Sequence, residues 1–107
     1  MNDTDRELLE LAAKAAGIDL QHRPMFGGDA EPGYYVGNPP NWQWWNPLTD
    51  DGDALRLAVK LGIDIQHYDG GIDAGVNLEI AELYGSDSYA ATRRAVVRAA
   101  AGIWRAK

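Results

Sequence analysis

Leu57-Ala58-Val59-Lys60-Leu61-Gly62-Ile63-Asp64-Ile65-Gln66-His67 decides the fold, because the same pattern has already occurred once upstream. The earlier copy is Leu11-Ala12-Ala13-Lys14-Ala15-Ala16-Gly17-Ile18-Asp19-Leu20-Gln21-His22. Each copy reads as the end of a helix, a glycine stop and a strand. The glycine falls where a helix C-cap needs positive φ, which costs little without a Cβ. The residues after it alternate apolar and polar, the period of a half-buried strand. Two copies predict an internally pseudo-symmetric domain and are too few for a solenoid.

Working outward, Thr4 with Glu7 three residues later is a capping-box pattern, so a first helix starts at Asp3 or Thr4. Leu8, Leu11, Ala12, Ala15 and Ala16 form its apolar stripe. A second helix begins after Pro47-Leu48-Thr49. Thr49 can cap it, Asp50, Asp51 and Asp53 suit its positive end, and Leu55, Ala58, Val59 and Leu61 are its expected core side. A third runs from about Ser88 to Arg105, capped by Ser88 or Asp87, with Ala91, Ala95, Val96, Ala99 and Ile103 inward. The expected strands are Ile18 to about Arg23, Tyr34–Val36, Ile63–Tyr68 and Val76–Ala81. Turns at Gly27–Gly33 and Asp69–Gly71 join them in pairs. The expectation is one α+β domain over residues 1–107, ordered α-β-β-α-β-β-α, with one four-stranded sheet packed by three helices. Apolar residues share one parity in three strands, so one sheet face is expected to be oily and the other polar.

Composition narrows the functional classes. The chain has 107 residues, 46% of them hydrophobic, which suffices for a core without metal or disulfide support. It has no cysteine, which removes thiolate catalysis and thiol-based zinc sites and favours a reducing cytosol. No apolar run reaches the roughly 18 residues of a membrane span, and the acidic Met1-Asn2-Asp3-Thr4-Asp5 is unlike a signal peptide. A cytoplasmic location is expected. The net charge of −6 opposes DNA binding unless basic groups are concentrated. Arg93, Arg94, Arg98, Arg105 and Lys107 do concentrate near the end of the chain. A solvated helix face accounts for them as well.

Two stretches carry candidate recognition chemistry. Asn38-Pro39-Pro40-Asn41-Trp42-Gln43-Trp44-Trp45-Asn46-Pro47 holds three of the four tryptophans, just after Tyr34 and Tyr35. Such rings stack on nucleobases or anchor protein interfaces; equally, they can close the core. Trp44 and Trp45 are adjacent and point to opposite sides if the segment is extended. The start of the third helix places Ser86, Ser88 and Thr92 near Arg93 and Arg94, a combination suited to a phosphate. Ion pairing with neighbouring carboxylates is the competing use of those arginines. The candidate ligand-binding set is therefore Tyr35, Asn41, Trp42, Trp44, Trp45, Ser88, Arg93 and Arg94. His22 and His67 occupy matching repeat positions, and two histidines alone make a poor metal site. No catalytic constellation, Walker loop or Gly-x-Gly-x-x-Gly pattern occurs, so neither an enzyme nor a cofactor is expected.

Three segments also resemble a known family. Asn46-Pro47-Leu48-Thr49-Asp50-Asp51-Gly52-Asp53-Ala54-Leu55-Arg56-Leu57-Ala58-Val59-Lys60-Leu61 resembles the central motif of small phage and prophage proteins carrying the phage ABA-sandwich domain. Asp5-Arg6-Glu7-Leu8-Leu9-Glu10-Leu11-Ala12 and Ala90-Ala91-Thr92-Arg93-Arg94-Ala95-Val96-Val97-Arg98-Ala99-Ala100-Ala101 are similar to the ends of that family. NinX-type phage proteins look like more distant relatives. The resemblance implies a phage origin, an α/β/α sandwich and residence in the cytoplasm of an infected bacterium. It implies no particular activity. Joined to the aromatic loop and the arginine helix, it leads to the expectation of a non-enzymatic host-defence antagonist. Such a protein would sequester a nucleotide-type immune signal, as a homo-oligomer. The alternatives are an inhibitor that docks on a host defence protein, and a DNA-binding protein.

Overall fold

The computed structural model describes residues 3–23, 33–38 and 40–107. Its order is α1 (Asp3–Ala16), β1 (Gln21–Arg23), β2 (Gly33–Val36), β3 (Gln43–Trp44), α2 (Asp51–Leu61), β4 (Asp64–Tyr68), β5 (Gly71–Gly75), β6 (Ile80–Leu83) and α3 (Ser88–Arg105). The class is α+β, and the repeated unit is a helix followed by three strands. The two units build separate antiparallel sheets, ordered β1-β2-β3 and β4-β5-β6.

The expected single four-stranded sheet is thus corrected to two sheets of three. Each unit supplies a third strand of its own. Tyr35 and Val36 of β2 pair with Trp44 and Gln43 of β3. All five residues of β4 pair with β5, from Asp64 opposite Gly75 to Tyr68 opposite Gly71. The strand expected over Val76–Ala81 starts only at Ile80. Leu78 adopts φ +55°, and the Glu79 carboxylate accepts the Asn77 N–H at 2.9 Å, so this stretch turns before the ladder resumes. The turn expected over Gly27–Gly33 lies outside the described residues except for Gly33, which opens β2.

The glycine stops behave as read. Gly62 caps α2 with φ +67°, its N–H reaching the carbonyls of Ala58 and Val59. Gly17 has φ +69° after α1. At the N-termini the caps shift. Thr4 lies inside α1, which excludes it as the cap. Asp50, rather than Thr49, caps α2 by accepting the Asp53 N–H at 2.8 Å. Asp87 caps α3 through Ala90 N–H at 3.0 Å.

The core gathers around α3. Its Ala95, Val96, Val97, Ala99, Ala100 and Ala101 are all buried, covering most of the helix circumference, as in a helix enclosed by neighbours. It packs against α1, α2, β5 and β6. Leu8, Leu9, Ala12, Ala13 and Ala16 of α1, together with Ile72 and Ala74 of β5, face the same core. Small alanines on α1 and α3 permit their close approach. On α2 the buried residues are Ala54, Leu57 and Ala58. Leu55 and Val59 were expected to be core and instead lie exposed. They sit four residues apart, off the Ala54/Leu57/Ala58 stripe by which α2 packs into the core. The oily-face expectation fails for β4, every residue of which is exposed. No described helix is long and apolar enough to cross a membrane.

Candidate functional site

The tryptophan loop is positioned by its own hydrogen bonds. Asn46 Oδ1 accepts the Leu48 N–H at 3.0 Å, and Asn46 O accepts from Thr49 N and Asp50 N. Asp53 Oδ2 in turn accepts the Asn46 N–H at 3.0 Å, and its Oδ1 accepts from Arg56 at 2.7 Å. With Pro47 fully buried, this clamp fixes where the chain leaves β3 and enters α2. Most of the motif from Asn46 to Asp53 is therefore accounted for by turn and cap chemistry.

Strand parity then separates the aromatic rings. Trp45 is buried, and its N–H donates to Tyr34 O at 2.9 Å. Tyr34 is also buried, its ring 5.1 Å from that of His22 and tilted to it by 47°, and its hydroxyl donates to Glu10 at 2.6 Å. Burial pushes the Tyr34 phenol above its ordinary pKa, and the hydrogen bond to the Glu10 carboxylate adds to this. On the other face, Tyr35 pairs across the strands with Trp44, and Trp42 stands beside both. Trp44 is 49% exposed and Trp42 36%, against 6% for Trp45. The adjacent indoles do point opposite ways: one closes the core and the other faces solvent. Asn41 is exposed at the turn before Trp42.

The arginines do not join these rings. Arg93 donates from Nε to Leu48 O at 2.8 Å and from Nη1 to Asp51 at 2.6 Å. Arg94 pairs with Asp5 at 3.0 Å, Arg98 with Glu82 at 3.2 Å and Arg105 with Glu7 at 3.4 Å. Each arginine of α3 ties that helix to another element. The expected set therefore falls into separate groups: Tyr35, Trp42 and Trp44 on the outer face of the first sheet, Trp45 in the core, Ser88 and Arg93 at a cleft, and Arg94 against α1.

That cleft lies between the start of α2, β4 and the start of α3. It encloses about 540 Å³ and is lined by Leu55, Ile65, His67, Tyr84, Ser88, Tyr89 and Arg93 among others. Its walls are mostly apolar, and several polar side chains converge on them. His67 Nδ1 and Tyr84 Oη share a hydrogen bond. Leu55, Ile65 and Tyr89, all exposed large apolar side chains, border the opening. Sequence reading names Ser88 and Arg93 of this cleft but not Leu55, Ile65 or Tyr89. Parity already places His67 on the apolar side of its strand with Ile65, where strand-end packing is the expected role.

The repeat also has a counterpart cleft. Arg6, Glu10, Leu20 and His22 line a smaller one of about 390 Å³ in the first unit. Counted back from the paired glycines, these positions correspond to Asp51, Leu55, Ile65 and His67. Where the first unit has Glu10, hydrogen-bonded to Tyr34, the second has Leu55, so that wall of its cleft is apolar. Among the described residues, no three His, Asp or Glu side chains gather as a metal-holding group. No family model, no curated protein and no solved structure matches this chain.

Proposed function

We propose that this chain is a non-enzymatic accessory protein of the phage type its sequence resembles, and that it sequesters a nucleotide-type signalling molecule in the α2–β4–α3 cleft. The observation that carries this reading is the cleft itself: about 540 Å³, apolar walls, and a guanidinium held at one side. That volume falls within the range of small-molecule sites, and such sites combine apolar walls with a few fixed polar groups. A base would lie against Leu55, Ile65 and Tyr89, with its edge toward His67 and Tyr84. Arg93 is pre-oriented by the Leu48 carbonyl, so a ligand phosphate would compete with the Asp51 carboxylate for Nη1. The Asp51 side chain is 69% exposed and can turn away into water.

Isothermal titration with cyclic and ADP-ribose-type nucleotides tests the reading. Binding by at least one nucleotide, weakened about tenfold or more by Tyr89→Ala or Leu55→Asp, supports it. Both positions are exposed, so neither change removes a core side chain. No heat across the panel removes the proposal. Sequestration by an oligomer predicts a size above the monomer in light scattering, with or without ligand.

A second reading, inhibition of a host protein, is favoured by the exposed Trp42 and Trp44 beside Tyr35, since such residues are common interface anchors. A single stable partner recovered from host extract, and lost with Trp44→Ala, would favour it over the first. Direct DNA binding loses support from the ion pairs of α3, which hold all four of its arginines to the protein's own carboxylates.

A further inference from the structure

The outer edge of β4 is open to another strand. β4 ends its sheet, with β5 on one side and, among the described residues, no strand on the other. All five of its residues are exposed. Such an edge presents a row of backbone N–H and C=O groups to water, and proteins ordinarily blunt it with proline, lysine, a bulge or a covering element. The strand Asp64-Ile65-Gln66-His67-Tyr68 contains neither proline nor lysine. It pairs residue for residue with β5, so it has no bulge either.

The other edges differ. At the far side of the same sheet, Arg98 of α3 donates to the Ala81 carbonyl of β6 at 3.1 Å and pairs with Glu82 at 3.2 Å. That edge is held by the protein's own guanidinium. In the first sheet β1 has three residues and β3 two, too short for an extended ladder. Among the described residues β4 is the longest edge left uncovered.

We propose that β4 pairs antiparallel with β4 of a second copy of this chain, about a two-fold axis at Gln66, and so joins two three-stranded sheets into one of six strands. The register selects a second copy as the occupant. Full overlap sets Asp64 opposite Tyr68, Ile65 opposite His67 and Gln66 opposite Gln66, so the one carboxylate of the strand never meets itself. A two-fold interface uses one patch twice and requires this self-complementarity. The faces match as well. Opposed residues of an antiparallel pair point to the same side of the sheet, and Ile65 and His67 both line the α2–β4–α3 cleft. Leu55 and Tyr89, exposed at the opening of that cleft, lie on this side too. The axis therefore places the same apolar set of the second copy beside them, and the two clefts adjoin. Each cleft gains a wall from the other chain, because the Cβ of Ile65 in the second copy comes about 5 Å from that of His67.

Sedimentation equilibrium of the full chain without ligand tests the pairing, at about 0.15 M salt so that the net charge of −6 is screened. A reversible monomer–dimer equilibrium is expected. Gln66 is the diagnostic residue, since it is the β4 position that meets itself, and it is exposed. Gln66→Glu and Gln66→Lys should each weaken the dimer about fivefold by setting like charges opposite one another. An equal mixture of the two should associate more tightly than either alone. Circular dichroism reports that the variants are folded. Because the chain has no cysteine of its own, Gln66→Cys should also give a disulfide-linked dimer on mild oxidation, and Asp19→Cys, exposed in the first unit, should not. A dimer indifferent to charge at position 66, or equal cross-linking at both positions, overturns the proposal. A monomer up to about 1 mM overturns it too, and leaves the edge to a strand of another protein. These measurements use no nucleotide, so their failure is distinct from failure of the cleft to bind one.

Discussion

At the scale of the residue, neighbouring side chains of the same type serve different ends. Trp44 and Trp45 differ only in which way an extended backbone points them. Trp45→Ala opens a cavity in the core and is expected to cost about 3–5 kcal/mol in urea unfolding. Trp44→Ala removes a cross-strand contact with Tyr35 and should cost about 1 kcal/mol or less. Acrylamide should quench the emission lost in Trp44→Ala much more readily than that lost in Trp45→Ala. Tyr34 offers a second residue-level test. Its raised pKa means that the folded state holds the phenolic proton more tightly than the unfolded chain. The associated stability is complete below the ordinary tyrosine pKa near 10 and is lost as pH rises through the higher folded value. Tyr34→Phe should therefore flatten the alkaline fall in stability seen in denaturant titrations above about pH 10. At neutral pH it should cost about 1 kcal/mol through the lost bond to Glu10.

At the scale of the element, β5 shows what pattern reading could and could not see. Gly71-Ile72-Asp73-Ala74-Gly75 has glycine at both ends and too few branched residues to announce a strand. It is nonetheless the middle strand of its sheet. Its glycines are there because neighbours come too close for a side chain. A Cβ at Gly71 would lie 2.7 Å from Tyr68 Oη and 2.8 Å from the Glu82 carbonyl. The second of these is backbone and cannot swing aside. Gly71→Ala should therefore spread the β5–β6 hairpin and lower the melting temperature by several degrees, which differential scanning calorimetry would read. Steric demands of this kind come from strands distant in sequence, so alternation alone could not reveal β5. It could not reveal the two-residue β3 either. The three helices were legible because caps, glycine stops and apolar spacing are local signals. The aromatic face was legible through parity once the loop was taken as extended. The cleft was not, since its walls come from α2, β4 and α3, and only their packing brings Leu55, His67 and Tyr89 together.

At the scale of the whole molecule, α3 links two units that each own a sheet. The repeat alone would permit the units to unfold separately, since among the described residues no strand ladder joins them. Burial argues otherwise. Residues of both units, including Tyr34 and Trp45 of the first and Ile72 and Ala74 of the second, belong to one core cluster with α3. Polar ties follow the same plan, because Arg94 and Arg105 reach α1 while Arg93 reaches α2 and Arg98 reaches β6. Exposed ion pairs of this sort contribute about 0.2–1 kcal/mol each, too little to join the units alone, so the apolar contacts of α3 must set the cooperativity. Unfolding is therefore expected as one transition, with Trp45 fluorescence and helical circular dichroism coinciding across the urea range. Ala100→Leu should overfill the centre of α3 and shift both curves together, by about 1–3 kcal/mol. If the fluorescence curve moved while the circular dichroism curve split into two steps, the units would be independent domains and α3 would belong to only one of them.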